Sequence, residues 1–229
     1  MTRKSYTSLR RSIFTVCIPI FMLSLVGCNQ EEVEESDVPC GQEGHIHAVD
    51  LGLSVKWACC NIGANSPEEY GGYYAWGETK EKDTYASSTY LWIDIDTNEM
   101  IKYNESDGKT ILEPEDDAAH ILWDDDWRMP TQSEIQELMD LCTWEWTSIN
   151  GVNGYKVSGN GNSIFLPAAG SRYEKKEFAT NQGYYGCYMS ATLYSPDVVF
   201  EHSLSFSEKG YYWINEYRRN GHTIRPVKE

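Results

Sequence analysis

The sequence predicts an α+β fold in which two helices are followed by a mainly antiparallel sheet. Three observations carry this. Residues 49–57 alternate apolar and polar, residues 131–142 carry a capped apolar stripe at helical spacing, and the chain beyond residue 150 is a run of short strands punctuated by Gly, Asn and Pro.

Taken in order, the amino end comes first. Arg3, Lys4, Arg10 and Arg11 precede an uncharged apolar run from Ile13 to Val26, interrupted by Pro19. Such a run is shorter than the roughly twenty residues a bilayer span needs, and reads as a signal peptide over residues 1–27. It ends Leu25-Val26-Gly27-Cys28, which resembles a bacterial lipobox, so Cys28 is the expected lipidation site; plain secretion with cleavage nearby is the simpler alternative. Residues 28–44 begin with the acidic stretch Glu31-Glu32-Val33-Glu34-Glu35 and read as a lipid-anchored tether. That stretch resembles the acidic export signals of surface lipoproteins in the Bacteroidetes, which implies an outer-membrane lipoprotein facing the cell exterior.

Loss of residues 1–27 removes four basic and no acidic residues, taking the formal charge from −16 to −20. A chain this acidic repels phosphate backbones and anionic head groups, so nucleic acid is not an expected partner and contact with the outer membrane runs through the acyl chains.

Five cysteines remain after Cys17 and Cys28: Cys40, Cys59, Cys60, Cys142 and Cys187. An odd number leaves at least one thiol free or paired with another chain, and a Cys60–Cys142 bridge is one candidate. The adjacent Cys59-Cys60 lacks the spacing of a metal knuckle. His45 and His47 could share a strand face, but no third ligand is in view and strand-entry histidines are the simpler reading. No metal or cofactor is expected.

The folded domain is expected over residues 45–229. Val49, Leu51, Leu53, Val55 and Trp57 alternate with polar or small residues, and Gly52 could divide the segment into two short strands. Tyr70, Tyr73, Tyr74 and Trp76 sit among glycines, as core or as platform. Residues 80–115 are a polar inserted excursion anchored by Tyr85, Tyr90, Trp92 and Tyr103, with room for a short hairpin.

Residues 116–123 could form two helical turns. Asp124-Asp125-Asp126 follows as a solvated turn rather than a calcium loop, because three consecutive residues cannot all point inward. Thr131 and Glu134 then form a capping box, and Ile135, Leu138, Met139 and Cys142 recur at i, i+3, i+4 and i+7. Beyond lies a hairpin, residues 155–158 and 163–166 around Gly159-Asn160-Gly161-Asn162, with further strands near 184–191, 202–207, 211–214 and 223–227.

Several strings together resemble a known family: residues 49–58 (VDLGLSVKWA), Tyr73-Tyr74-Ala75-Trp76-Gly77-Glu78, Trp127-Arg128-Met129-Pro130-Thr131, Phe165-Leu166-Pro167-Ala168-Ala169-Gly170 and Ile224-Arg225-Pro226-Val227. They look like the Fibrobacter succinogenes major paralogous domain (FISUMP) of exported Bacteroides-type proteins. The resemblance implies a C-type lectin-like fold, two helices flanking a small twisted sheet with paired N- and C-terminal strands. Calcium-dependent sugar motifs of that fold are missing here.

Tyr184, Tyr185, Tyr188, Tyr194, Tyr211, Tyr212, Trp213, Asn215 and Tyr217, set among Ser, Gly and Asn, form a candidate face of paratope-like composition, and all of these but Tyr194 are singled out as candidate ligand-binding residues; the alternative is that half of these aromatics are core. No nucleophile elbow, HExxH motif or phosphate loop is present, and no catalytic residue is singled out. The function expected is therefore a surface-anchored, non-catalytic ligand-binding or adhesion module for a glycan or a host or bacterial surface protein. A structural subunit of a surface assembly is the alternative, with a glycan-processing hydrolase behind it.

Overall fold

A computed structural model describes residues 47–123, 126–174 and 179–229, all within one compact unit. The expected signal peptide, the expected lipidation site Cys28, the expected acidic tether, Cys40, His45 and the first two aspartates of the Asp124–Asp126 run lie outside the described residues.

Among the described residues nine strands form three separate antiparallel sheets. The first pairs β1 (Ala48–Val49), β2 (Lys56–Ala58) and β9 (Val227–Lys228) in the order β1-β2-β9, so the amino and carboxyl ends of the domain meet edge to edge, with Trp57 opposite Val227. Gly52, at φ 76°, sits in the break that makes β1 and β2 two strands. The second sheet is a meander of β3 (Thr143–Ile149), β4 (Val152–Gly159) and β5 (Asn162–Pro167); the third is another, of β6 (Tyr185–Leu193), β7 (Phe200–Ser207) and β8 (Gly210–Tyr217). The β4–β5 turn holds Asn160 and Gly161 at φ 50° and 79°, the left-handed pair a tight hairpin needs.

Helix contributes little. Helix α1 (Ala118–Leu122) has five residues, capped by Asp117, whose carboxylate accepts from Ala119 and His120 N–H. Helix α2 (Gln132–Leu141) is the one full amphipathic helix and buries Ile135 and Leu138. Its capping box is present in full: Thr131 Oγ1 accepts from Glu134 N–H at 3.4 Å, and Glu134 Oε2 from Thr131 N–H at 2.8 Å. Arg128 grips both oxygens of Glu134 at 2.8 and 2.6 Å, tying the turn to the helix it starts.

The expected architecture is thereby corrected. The chain is mostly β, with three small sheets in place of one sheet flanked by two helices, and it displays no C-type lectin-like fold. The physical reason lies in two places. Only α2 carries an apolar stripe long enough to cover a sheet, and Thr143–Ile149 leaves it directly as a strand that pairs with β4 along its whole length. That strand, with Trp144 and Trp146 on one face, was not among the expected elements.

Two cores result. One joins Trp57, Ile135, Leu138, Tyr155, Val157, Tyr188, Leu204, Phe206 and Val227. The other joins Ile62, Tyr74, Trp76, Tyr103, Met129, Met189, Leu193 and Ile224. Strand β6 feeds both, Tyr188 to the first and Met189 to the second, because successive side chains of a strand point to opposite faces. The excursion is a roof rather than a loose loop: Tyr85, Tyr90 and Tyr103 are fully or nearly fully buried, and a bridge between Ile93 and Met100 closes a small hairpin.

The proposed Cys60–Cys142 bridge does not form. Cys60, Cys142 and Cys187 are free thiols, and the disulfide-bonded cysteine among the described residues is Cys59. Cys60 points inward, with Sγ 3.6 Å from Ala64 O, whereas Cys142 closes α2. Among the described residues no helix is long and apolar enough to cross a membrane.

Candidate functional site

The candidate residues converge on the β6-β7-β8 sheet but divide between its faces. Register fixes the division: Phe206 lies opposite Tyr211, Leu204 opposite Trp213, His202 opposite Asn215 and Phe200 opposite Tyr217. These pairs share one face. Ser205 with Tyr212, Ser203 with Ile214 and Glu201 with Glu216 share the other.

The first face is an aromatic strip. Trp144 of β3 stacks on Tyr211 at 4.3 Å between ring centroids, Trp213 meets His202 edge-on at 5.9 Å, His202 meets Tyr194 at 5.1 Å, and Phe200 tilts over Tyr217 at 4.5 Å. None of these rings is fully buried, and Asn215 and Tyr217 are exposed. The strip is held in place from below. Trp213 Nε1 donates to Gln136 Oε1 at 2.6 Å and Trp144 Nε1 to Leu138 O at 3.2 Å, so α2 fixes both indoles while their outer faces remain open.

Strand β8 is the outer strand of its sheet, and no described strand pairs with its far side. This free edge runs beside the strip.

Not every candidate belongs to it. Tyr188 is 3% exposed, stacks on Phe206 and donates to Pro167 O at 2.9 Å, so it is core. Tyr211 and Trp213 pack against the first core with one side and face outward with the other. Tyr185 is half-buried, with its hydroxyl pushed far up by burial. Tyr184 and Tyr212 are exposed, Tyr184 in the turn entering β6 and Tyr212 on the opposite face from Trp213. Tyr194, part of the candidate face, lies in the strip, and Trp144, Phe200 and His202 join it although that face did not include them. Periodicity inside β7 and β8 could have suggested His202, but Trp144 comes from another sheet and only tertiary structure brings it there.

Several cavities are present among the described residues, of which two lie at the ends of strands of these sheets. One of about 640 Å³ lies between β2, β9 and α1, lined by Lys56, Asp117, His120, Asp126, Arg128 and Glu229 among others. Its charges are mixed, and Arg128 is already committed to Glu134 and Glu229. The other, about 500 Å³, lies at the end of β8, with Tyr85, Tyr173 and Tyr217 as walls and Glu216 and Asn220 beside them. Among the described residues no group of three His, Cys, Asp or Glu is arranged to hold a metal ion.

No family model, no curated protein and no solved structure matches this chain.

Proposed function

We propose that this chain is a non-catalytic recognition module, displayed on the outer face of a bacterial outer membrane by acyl chains on Cys28 and binding glycan on the aromatic strip of β7 and β8. The observation that supports this is the strip itself. Rings from Trp144, Tyr211, Trp213, Tyr194 and Tyr217 are fixed by packing yet open on one side, with the polar side chains of Asn215 and His202 between them. Rigid aromatic area costs little entropy on binding, and sugar C–H faces stack on it while neighbouring amide and imidazole groups take hydroxyls.

The test is a glycan array probed with the purified full chain, with calcium and again with a chelator. Saturable binding that survives chelation and is lost in Asn215→Ala and Tyr194→Ala is the expected result. Binding untouched by both substitutions would remove the strip from the function.

The second reading, a structural subunit of a surface assembly, is favoured by the free edge of β8, which another strand could extend. A silent array with concentration-dependent self-association, blocked by proline at an outward-facing N–H of β8, would select it.

A further inference from the structure

On the face of the third sheet away from the strip, Glu201 and Glu216 stand directly opposite each other across the β7–β8 ladder. Like charges in that position repel, and both carboxyls are held above the usual carboxylate range, Glu201 far above, each chiefly by burial. Neither has a cationic side chain within ion-pair distance among the described residues. Their hydrogen bonds leave polar atoms over: Glu201 Oε1 takes Ser203 Oγ–H at 2.5 Å while Oε2, fully buried, has no partner. Glu216 Oε2 takes Asn220 Nδ2–H at 3.0 Å.

A third polar atom joins them. His222 is fully buried, and burial depresses its pKa to about 3, so the ring is neutral. Its Nδ1 lies 3.0 Å from Ser171 Oγ, whereas Nε2 has no hydrogen-bond partner and faces Glu216 Oε2 at 3.9 Å. With Nδ1–H given to Ser171, Nε2 is an acceptor. Glu216 lines the 500 Å³ cavity at the end of β8, whose walls are the tyrosine rings of residues 85, 173 and 217. Arg219 also lines the cavity, stacked 3.9 Å over Tyr217, and among the described residues it forms no ion pair with Glu201 or Glu216.

Glu216 and Glu174 bring carboxyl groups to the cavity, Nε2 of His222 is an acceptor behind Glu216, and the walls are aromatic. The complement is a group with several N–H donors, no acceptor and a positive charge, which is a primary ammonium. We infer that this cavity is a subsite for an amino sugar, its protonated amine directed at Glu216 and the His222 side and its ring held between the tyrosines. The sugar half of this inference rests on the glycan reading above; the amine half rests on Glu216, which lines the cavity, and on His222 behind it.

The experiment is calorimetric titration of the full chain with glucosamine, glucose and N-acetylglucosamine, which share a ring and differ in one substituent. Glucosamine should bind at least about tenfold more tightly than the other two, the margin of one charge-assisted hydrogen bond. Glu216→Gln should erase that margin, with its fold checked by thermal melting. Equal affinity for the three sugars, or no saturable binding of glucosamine, overturns the inference without recourse to any variant. Equal binding of butylamine and glucosamine overturns the sugar half. Array binding that depends on Asn215 and Tyr194 but is indifferent to amino sugars would sink this subsite alone and leave the strip standing.

Discussion

Buried ionisable side chains are handled in two opposite ways in this molecule. Arg225 and Arg218 are each about 1% exposed, and none of their guanidinium nitrogens lacks a partner. Arg225 donates to Asn61 Oδ1, Ala58 O and Phe165 O at 2.7–3.0 Å, drawing the β2 end, the β5 end and the carboxyl-terminal segment to one point. Arg218 donates to Tyr90 Oη and to the carbonyls of Lys102, Tyr103 and Val198, and lies 4.7 Å over the Trp76 ring, fastening the excursion to the third sheet. Glu201 and His222 are as deeply buried, yet each keeps an atom with no partner. Saturated charges act as structure; an unsaturated cluster beside a cavity retains the capacity to bind.

The comparison breaks most visibly at Arg225. Arg225→Met orphans three buried acceptors at about 1–3 kcal/mol each, and because they are neighbours the costs do not simply add, so about 3–5 kcal/mol of stability should disappear in denaturant titration. A loss under 1 kcal/mol would mean that the arginine is not the hub its contacts make it.

Gly186 gives the next effect. A Cβ placed there would lie 2.1 Å from the Phe206 ring, so Gly186→Ala should cost about 1–3 kcal/mol by overpacking, read as a lowered melting temperature.

At the unsaturated cluster the sign changes. Burial raises Glu201 in the folded state, so its contribution is fully present below the ordinary value of 4.5 and is lost as pH rises above it. Glu201→Gln should therefore match or exceed the natural chain in stability at pH 8 and flatten that slope. His222 works the other way. With its folded pKa depressed to about 3 from 6.5, stability is complete above 6.5 and falls as the pH drops towards 3, a decline that His222→Gln should abolish in acid denaturation.

The smallest effect belongs to Tyr212→Ala. Tyr212 is 51% exposed and lies off the strip, so stability should stay within about 0.5 kcal/mol and array binding should not change.

Local signals made much of the chain readable. Thr131 and Glu134 announced α2 because a capping box is a contract between residues three apart, and Asn160-Gly161 announced the β4–β5 turn because few residues tolerate positive φ. Gly52 marked the break between β1 and β2 for the same reason. The sheet count was not readable, since nothing local in Thr143–Ile149 says whether it extends one sheet or starts another. The candidate site was half legible. Aromatic richness located β8, but Tyr188 and Trp213 sit two strands apart in one sheet and differ in exposure because of what packs over each. Glu201 and Glu216 are fifteen residues apart and become neighbours only through register.

The pairing of β9 with β2 has a mechanical side. A chain held by its amino end and pulled through a ligand on β8 transmits the load into β1 first, and β1 offers two paired residues, Ala48 opposite Ala58 and Val49 opposite Trp57. It can peel away like a short seam. Strand β2 behind it is clamped on its other side by β9, through Trp57 against Val227 and the Ala58 N–H to Pro226 O bond at 2.9 Å, with Arg225 fastened beneath. Tension would thus release a few residues before it reaches β2, which β9 still holds, leaving the β7–β8 face undistorted.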